Sequence, residues 1–122
     1  MMSVAKLEQV LGERLERLTG DDATCCVPQY RSLAEEVRRS PAFPTALARH
    51  RALADENRLL AISMLRREEK LCACEIQAAT GLTHATVSHH MSILLKAGLV
   101  TERREGKWTY YRLSRDAKEG VL

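Results

Sequence analysis

Four cysteines occur in the chain as two close pairs, Cys25–Cys26 and Cys72–Cys74. Thiolates are soft donors that suit Cd(II), Pb(II), Zn(II) and As(III), and they do not suit Mg(II) or Ca(II). Small buried cysteines are also common in protein cores. Two pairs in so short a chain nevertheless favour metal binding or redox sensing by free thiols, as is usual in a reducing cytoplasm.

The spacing of the second pair restricts how it binds one ion. Residues i and i+2 on an α-helix are separated by about 200° around its axis, so a fully helical segment directs Cys72 and Cys74 to opposite sides. Both thiols share an ion only if Cys72 precedes the helix or if the first turn is distorted. Three thiolates then fit pyramidal As(III), and four fit tetrahedral Cd(II) or Zn(II).

Residues 71–98 predict two helices that meet at a glycine. A short helix over residues 71–80 ends at Gly81, Thr83 caps a longer helix over HATVSHHMSILLKA, and Gly98 follows the end of that helix. This order of helix, tight turn and helix is the helix-turn-helix pattern. The inward face of the second helix is predicted to carry Val87, Met91, Leu94 and Leu95, whereas its polar side carries Thr86, His89, His90 and Lys96.

A β-hairpin is predicted after Gly98. LVTER and KWTYYRL are rich in β-forming residues, and the bridge between them contains a glycine. We therefore predict a mainly α fold with a β-hairpin wing, a winged helix-turn-helix. DNA recognition needs short polar side chains at the start of the recognition helix and basic side chains on the wing. The residues that meet these needs are Thr83, His84, Thr86, Ser88, His89, Arg103, Arg104 and Lys107.

The first part of the chain predicts further helices. Residues 3–19 carry a narrow leucine-rich stripe that suits a partner subunit as well as the core of its own chain. DDATCCVPQ is predicted as a polar connector, and residues 29–39 as a second helix. Pro41 and Pro44 interrupt the backbone before a third helix over residues 45–54, and Asp55 caps a fourth. We expect residues 1–40 to hold dimerisation helices and the cysteine-bearing connector, and residues 41–122 the DNA-binding domain, in one compact whole.

Composition and charge agree with a nucleic-acid partner. The 122 residues are 45% apolar, and the net charge is +3. Residues 82–113 carry an excess of three positive charges, whereas residues 1–40 carry a net negative charge of one. The apolar runs are too short to span a membrane, and the N-terminus has the pattern of neither a signal nor a transit peptide, so a cytoplasmic protein is expected. No enzyme is expected, because paired carboxylates, a nucleophilic triad and a phosphate loop are lacking.

Three stretches resemble the ArsR/SmtB family of metal-responsive winged-helix repressors. They are ALADENRLLAISML, LCACEI and GLTHATVSHHMSILLKAGLVTERREGKWTYYRL, which together cover about residues 45–114. The resemblance implies a homodimer that binds operator DNA, an imperfect palindrome, when metal-free and releases it on binding the inducer. Pairing in this family usually involves the first and last helices. Because the last helix is truncated here, pairing is expected through residues 3–19.

The same resemblance implies the ligands. LCAC is similar to the L-C-x-C segment of arsenic-, cadmium- and lead-responsive members, and the N-terminal cysteines of the cadmium/lead branch reach this segment across the dimer. The resemblance therefore implies metal ligation by Cys25, Cys26, Cys72 and Cys74. The Asp and His ligands of the zinc-responsive branch are absent. The histidines His50, His84, His89 and His90 are expected to be DNA contacts or surface residues.

As(III) is the first-ranked inducer, because LCAC and GKWTYYRLS resemble arsenic-responsive members. Cd(II) or Pb(II) is second, Zn(II) is also compatible with thiolates, and no organic cofactor is expected. One alternative keeps the repressor but makes its signal the oxidation of the cysteines or their reaction with reactive sulfur. Another alternative is a metal-buffering protein without DNA binding.

Overall fold

The computed structural model describes residues 3–20 and 23–120, apart from the side chains of Thr19 and residues 23–26. The chain forms two compact units, Met1–Pro44 and Thr45–Leu122. The helices of the first unit are α1 (Val4–Thr19) and α2 (Ala23–Arg39). The remaining elements are α3 (Ala42–Leu53), α4 (Glu56–Arg67), β1 (Leu71–Cys72), α5 (Ala73–Thr80), α6 (His84–Lys96), β2 (Val100–Glu105), β3 (Trp108–Leu113) and α7 (Arg115–Gly120).

Helix α1 has the predicted ends. The Ser3 hydroxyl accepts a hydrogen bond from the Lys6 amide at 3.2 Å, and Gly20 ends the helix at a φ of 78°. The polar connector expected next is wrong, because α2 already begins at Ala23 and continues through Pro28. A proline inside a helix removes one backbone hydrogen bond. Packing of α2 on α1, including an ion pair between Arg31 and Glu8, supports the helix despite that loss.

Helix α3 begins three residues earlier than predicted. Pro44 lies in its first turn instead of before it, where backbone amides have no partner within the helix and a missing N–H removes no bond. Helix α4 starts as expected, since the Asp55 carboxylate accepts a hydrogen bond from the Arg58 amide at 3.0 Å. None of the helices in the described ranges is long and apolar enough to cross a membrane.

The helix predicted over residues 71–80 is shorter than expected. Leu71 and Cys72 instead form strand β1, which pairs antiparallel with β3 through Leu71–Tyr111 and Cys72–Tyr110. Helix α5 therefore starts at Ala73. It ends at Gly81, which adopts a φ of 73° and donates its amide to the Gln77 carbonyl at 2.8 Å.

Helix α6 and the hairpin confirm the predicted winged helix-turn-helix. Strands β2 and β3 pair antiparallel from Val100–Leu113 to Glu105–Trp108, and the three-stranded sheet has the order β1-β3-β2. The turn of the hairpin contains Gly106 at a φ of 65°, a conformation that a side chain disfavours.

The core of the second unit is formed mainly by side chains from α4, α5, α6, Leu99 before β2 and one face of the sheet, with Ala52 of α3 and Ala117 of α7. Its most deeply buried large side chains are Ile62, Val87, Met91, Leu94 and Leu99. Leu71, Tyr111 and Leu113 close it from the sheet. This core fixes α6 by one face and leaves the other face accessible.

Candidate DNA-binding surface and thiol segment

The first turn of α6 is held by two threonines. The Thr83 hydroxyl accepts a hydrogen bond from the Thr86 amide at 3.3 Å and donates one to the Thr86 hydroxyl at 2.9 Å. Both side chains are nevertheless exposed. The pair therefore caps the helix and presents hydroxyl oxygens at the end where helix amides attract phosphate.

The outer face of α6 carries most of the predicted recognition residues. His84 and His89 are exposed, and Ser88 is half-buried. Ala85 is exposed as well, and sequence reasoning missed it because an alanine bears no polar group. A methyl group at that position is suited to a thymine methyl in the major groove.

His90 differs from its neighbours, because it is half-buried between helices. Its Nδ1 lies 3.1 Å from Nη1 of Arg58 and 3.9 Å from the carboxylate of Asp55. Arg58 also donates through Nε to the Ala52 carbonyl at 2.6 Å. The expectation that His90 lies on the polar side of α6 is wrong, since it connects α6 to the start of α4 and so helps to fix the orientation of the recognition helix.

The wing presents its basic residues on two faces. Paired residues of an antiparallel ladder lie on the same face, and successive residues alternate. Arg103 pairs with Tyr110 and Arg104 with Thr109, so the two arginines point to opposite sides of the hairpin. Both are exposed, as is Lys107 in the turn. Trp108 beside this turn is 51% exposed, and the sequence interpretation did not include it among the site residues.

Cys72 and Cys74 occupy different environments. Cys72 precedes α5 with extended backbone angles (φ −85°, ψ 164°) and is 8% exposed, whereas Cys74 lies in the first turn of the helix and is exposed. The requirement that Cys72 lie before the helix is therefore met. The pair is therefore not separated by the 200° of a fully helical segment.

Glu75 is a charged residue in direct contact with Cys72. Its Oε1 accepts the Cys72 amide at 3.0 Å, and this hydrogen bond lowers the pKa of the Glu75 carboxyl. Burial, reinforced by the Glu75 carboxylate, raises the pKa of the Cys72 thiol above its ordinary value. Cys72 is therefore held as a thiol, and a thiophilic ion must displace its proton to bind.

The cysteine segment is not a complete metal site by itself. Among the side chains that the structure describes, no three Cys, His, Asp or Glu residues are arranged to hold an ion. Cys25 and Cys26 lie in the first turn of α2, but their side chains are outside the described residues. His50 is on α3 with its Nδ1 2.6 Å from the Ala46 carbonyl oxygen, which is a local contact within the helix.

Comparisons with known proteins identify the central part of the chain. Residues 55–102 match the family model for bacterial regulatory proteins of the arsR family. A putative arsenical resistance operon repressor from Halobacterium salinarum is 35% identical, over 82% of this chain and 84% of its own length. An arsenic resistance transcriptional regulator from Pseudomonas putida is 37% identical over 58% of this chain. The cadmium resistance regulatory protein CadC from Lactococcus lactis is 38% identical over 56% of this chain.

The last two alignments span little more than half of the relatives, 56% of the Pseudomonas protein and 57% of CadC. Solved structures extend the likeness to the fold. The homodimeric winged helix-turn-helix DNA-binding domain from Mycobacterium bovis has a TM-score of 0.62 at 30% identity, covering 67% of this chain and 76% of that one. Reduced HlyU from Vibrio cholerae has a TM-score of 0.60 at 29% identity, covering 70% and 87%.

The geometry and the comparisons agree on one class of protein. The region matched by the family model contains α4, α5, the turn and the recognition helix, and it ends within β2. Members of this class are transcriptional regulators that bind DNA, and they are not enzymes. The chain belongs to the ArsR/SmtB family of winged helix-turn-helix transcriptional regulators.

Proposed function

We propose that this chain is a metal-responsive transcriptional repressor that binds operator DNA as a homodimer and releases it when a thiophilic ion binds its cysteines. Among candidate inducers we rank As(III) first and Cd(II) or Pb(II) second. The observation that carries the proposal is the placement of Cys72. It is the last residue of β1, the N-cap of α5, and thus one short helix away from the recognition helix. Relatives named for arsenic and cadmium resistance support the class of inducer.

DNA binding is assigned to two surfaces of the second unit. The exposed face of α6 with Thr83, His84, Thr86 and His89 enters the major groove, and the half-buried Ser88 borders it. Arg103, Arg104 and Lys107 on the wing contact the neighbouring backbone or minor groove. Since Arg103 and Arg104 lie on opposite faces, each contacts a different part of the DNA.

Dimerisation is assigned to the first unit. Helix α1 leaves Val4 71%, Leu7 46% and Leu11 40% exposed, so much of its apolar stripe is accessible among the described residues. Apolar surface of this kind is favourable to bury against a second copy. A homodimeric relative of the same fold supports dimerisation as such.

The ion is assigned to Cys72 and Cys74 together with Cys25 and Cys26. The extended backbone at Cys72 supports ligation of one ion by both thiols of LCAC, and further thiolates are needed to complete a pyramidal or tetrahedral site. Binding then favours a dimer conformation with poor DNA complementarity, and the DNA affinity falls by a coupling factor of about 5 to 150.

The test starts with a duplex selected from a random pool by the reduced, metal-free protein. Binding is followed by fluorescence anisotropy while arsenite, Cd(II) or, as a control, Mg(II) is added. We expect release by the two thiophilic ions and not by Mg(II). His89→Ala and Arg103→Ala should each weaken DNA binding, whereas His50→Ala, an exposed histidine on α3, should not. Retention of DNA at saturating arsenite and Cd(II) would refute the metal response.

The ligands are tested separately by X-ray absorption. The arsenite and Cd(II) complexes of the wild type and of each Cys→Ser variant give the number of sulfur ligands and their bond lengths. We expect three sulfurs around As(III) and a loss of one in the Cys72→Ser variant. An unchanged sulfur number in both the Cys72→Ser and Cys74→Ser variants would exclude this segment from the site.

Thiol oxidation is the second candidate signal, because a relative of the same fold was solved in a form described as reduced. Against it, the pKa of the Cys72 thiol is raised by burial, and a protonated thiol is a poor nucleophile. This candidate would be favoured over the metal response if hydrogen peroxide releases the DNA, dithiothreitol reverses that release, and arsenite releases no DNA.

A further inference from the structure

Lys70 contacts both strands of the wing from outside the hairpin. It directly precedes β1, and its Nζ lies 3.0 Å from Oε2 of Glu105, the last residue of β2. The same Nζ lies 4.3 Å from the centroid of the Tyr110 ring on β3. One side chain therefore joins the segment before β1 to both strands that carry the DNA-contacting residues.

Lys70 lies close to Cys72 in the sheet as well as in the sequence. Cys72 pairs with Tyr110, and Tyr110 pairs on its other side with Arg103. Because cross-strand partners share a face, Cys72, Tyr110 and Arg103 form a row across one face of the sheet. The opposite face carries Leu71 and Tyr111, which belong to the core. The thiol and the wing arginine thus share the outer face, on which Lys70 binds.

The ion pairs at Glu105 also bear on DNA binding directly. A free carboxylate near the end of the wing would repel phosphate groups. Lys70 and Arg112 both approach it, with Arg112 Nη2 3.5 Å from Oε1, and Lys70 is the stronger influence that lowers the pKa of the Glu105 carboxyl. These contacts neutralise the acid and hold the end of β2 against the rest of the sheet.

We propose that Lys70 is a positioning residue that sets the wing for DNA binding and transmits a displacement of Cys72 to it. The inference deepens the proposed function and rests on it. An ion that draws Cys72 toward other thiolates displaces β1, and Lys70 moves with that strand. The contacts to Glu105 and Tyr110 are then altered, so the wing shifts at the same time as α5. The inducer thus acts on the wing and on the recognition helix through one strand.

The first test compares Lys70→Met with Lys118→Met, which removes one positive charge from α7. For each protein the DNA dissociation constant is measured with and without the ion that releases the wild type, arsenite or Cd(II). In allosteric proteins the ratio of the two dissociation constants is typically about 5 to 150. We expect it to fall at least about threefold in Lys70→Met and to be unchanged in Lys118→Met. The number of bound ions should stay the same in both variants, and thermal unfolding verifies that each is folded.

A second test distinguishes positioning from a direct phosphate contact by Lys70. A lysine that binds phosphate directly contributes about 0.9 to the slope of log affinity against log salt concentration, whereas a positioning lysine leaves that slope unchanged. Glu105→Gln should also lower the ratio, because it removes the carboxylate that Lys70 contacts. The exchange Lys70→Glu with Glu105→Lys should restore the ratio to within about twofold of the wild-type value.

The results separate this inference from the proposed function. If Lys70→Met and Glu105→Gln both keep the wild-type ratio of DNA dissociation constants with and without the ion, the inference is overturned. The proposal of a metal-responsive repressor then stands. A salt slope lowered by about 0.9 in Lys70→Met, with no rescue by the exchange, assigns Lys70 to phosphate and also overturns it. A wild-type protein that retains DNA with bound arsenite and Cd(II) refutes the proposed function and this inference together.

Discussion

The turn between α5 and α6 depends on the backbone conformation of Gly81, and its replacement gives a defined loss of stability. Gly81 has a φ of 73°, and a Cβ added there meets no atom within 4 Å. The cost of Gly81→Ala is therefore conformational and free of steric contacts. The left-handed conformation costs a residue with a Cβ about 1–2 kcal/mol, while the smaller conformational entropy of the unfolded alanine chain offsets about 0.4–1 kcal/mol.

The net loss in the free energy of unfolding is then about 1 kcal/mol. With a urea m-value of about 1–3 kcal/mol/M, the denaturation midpoint should fall by about 0.3–1 M. Gly81→Asn should lose less, because asparagine tolerates this conformation better. Urea unfolding followed by circular dichroism measures all three proteins, and the m-value should be unchanged.

Gly120→Ala is the matched control. Gly120 lies in α7, has no positive φ, and likewise has no atom within 4 Å of an added Cβ. The same chemical change should leave its midpoint unchanged or slightly higher, since alanine favours helix. A midpoint for Gly81→Ala equal to that of the wild type, with Gly120→Ala also neutral, would show that the turn does not require the left-handed conformation.

Further predictions concern the core, a helix cap and the thiol. Leu94 is 0% exposed, and its replacement by alanine should lower the free energy of unfolding by about 2–5 kcal/mol. Leu60 is 39% exposed, and the same replacement there should lower it much less, which urea unfolding of both variants measures. Asp55→Ala should cost about 1 kcal/mol at pH 7. The Arg58 amide lowers the pKa of Asp55 below its ordinary 3.8, so this stabilisation is present above that pH and is lost as pH falls through the folded-state pKa; thermal unfolding across pH detects the loss. Alkylation of Cys72 should require a higher pH than alkylation of an unperturbed thiol, because burial raises its pKa, and peptide mass mapping measures this. Glu75→Gln should lower the pH needed, because it removes a carboxylate that also raises the thiol pKa.

The parts of the fold that were predicted correctly depend on local signals. Gly81, Thr83 and Gly98 mark helix ends through their own backbone preferences, and the period of α6 identifies its buried face from nearby residues. Strand β1 was missed because it has two residues and exists only through its pairing with β3, about forty positions later. The start of α2 was missed because a proline within a helix must be supported by packing on another helix, which local preferences do not include.

For the candidate site, the sequence predicted which polar side chains of α6 are exposed better than it predicted their contacts. The exposed polar residues of α6 follow from periodicity, as does the alternation of Arg103 and Arg104 once the hairpin is placed. The contact of His90 with Arg58 joins positions 32 residues apart, and that of Lys70 with Glu105 joins positions 35 apart. No local pattern encodes such pairs, so His90 was assigned to the wrong side and Lys70 was overlooked.

The location of Cys72 bears on how this protein can change over evolution. Cys72 is buried, yet it is not a member of the contiguous apolar cluster that holds the second unit together. Exchanging the thiol for another small group removes a soft donor while leaving that cluster complete. If Cys72 binds the inducer as we propose, sensing is separable from folding, and single substitutions at this position can change the response while the DNA-binding scaffold stays stable.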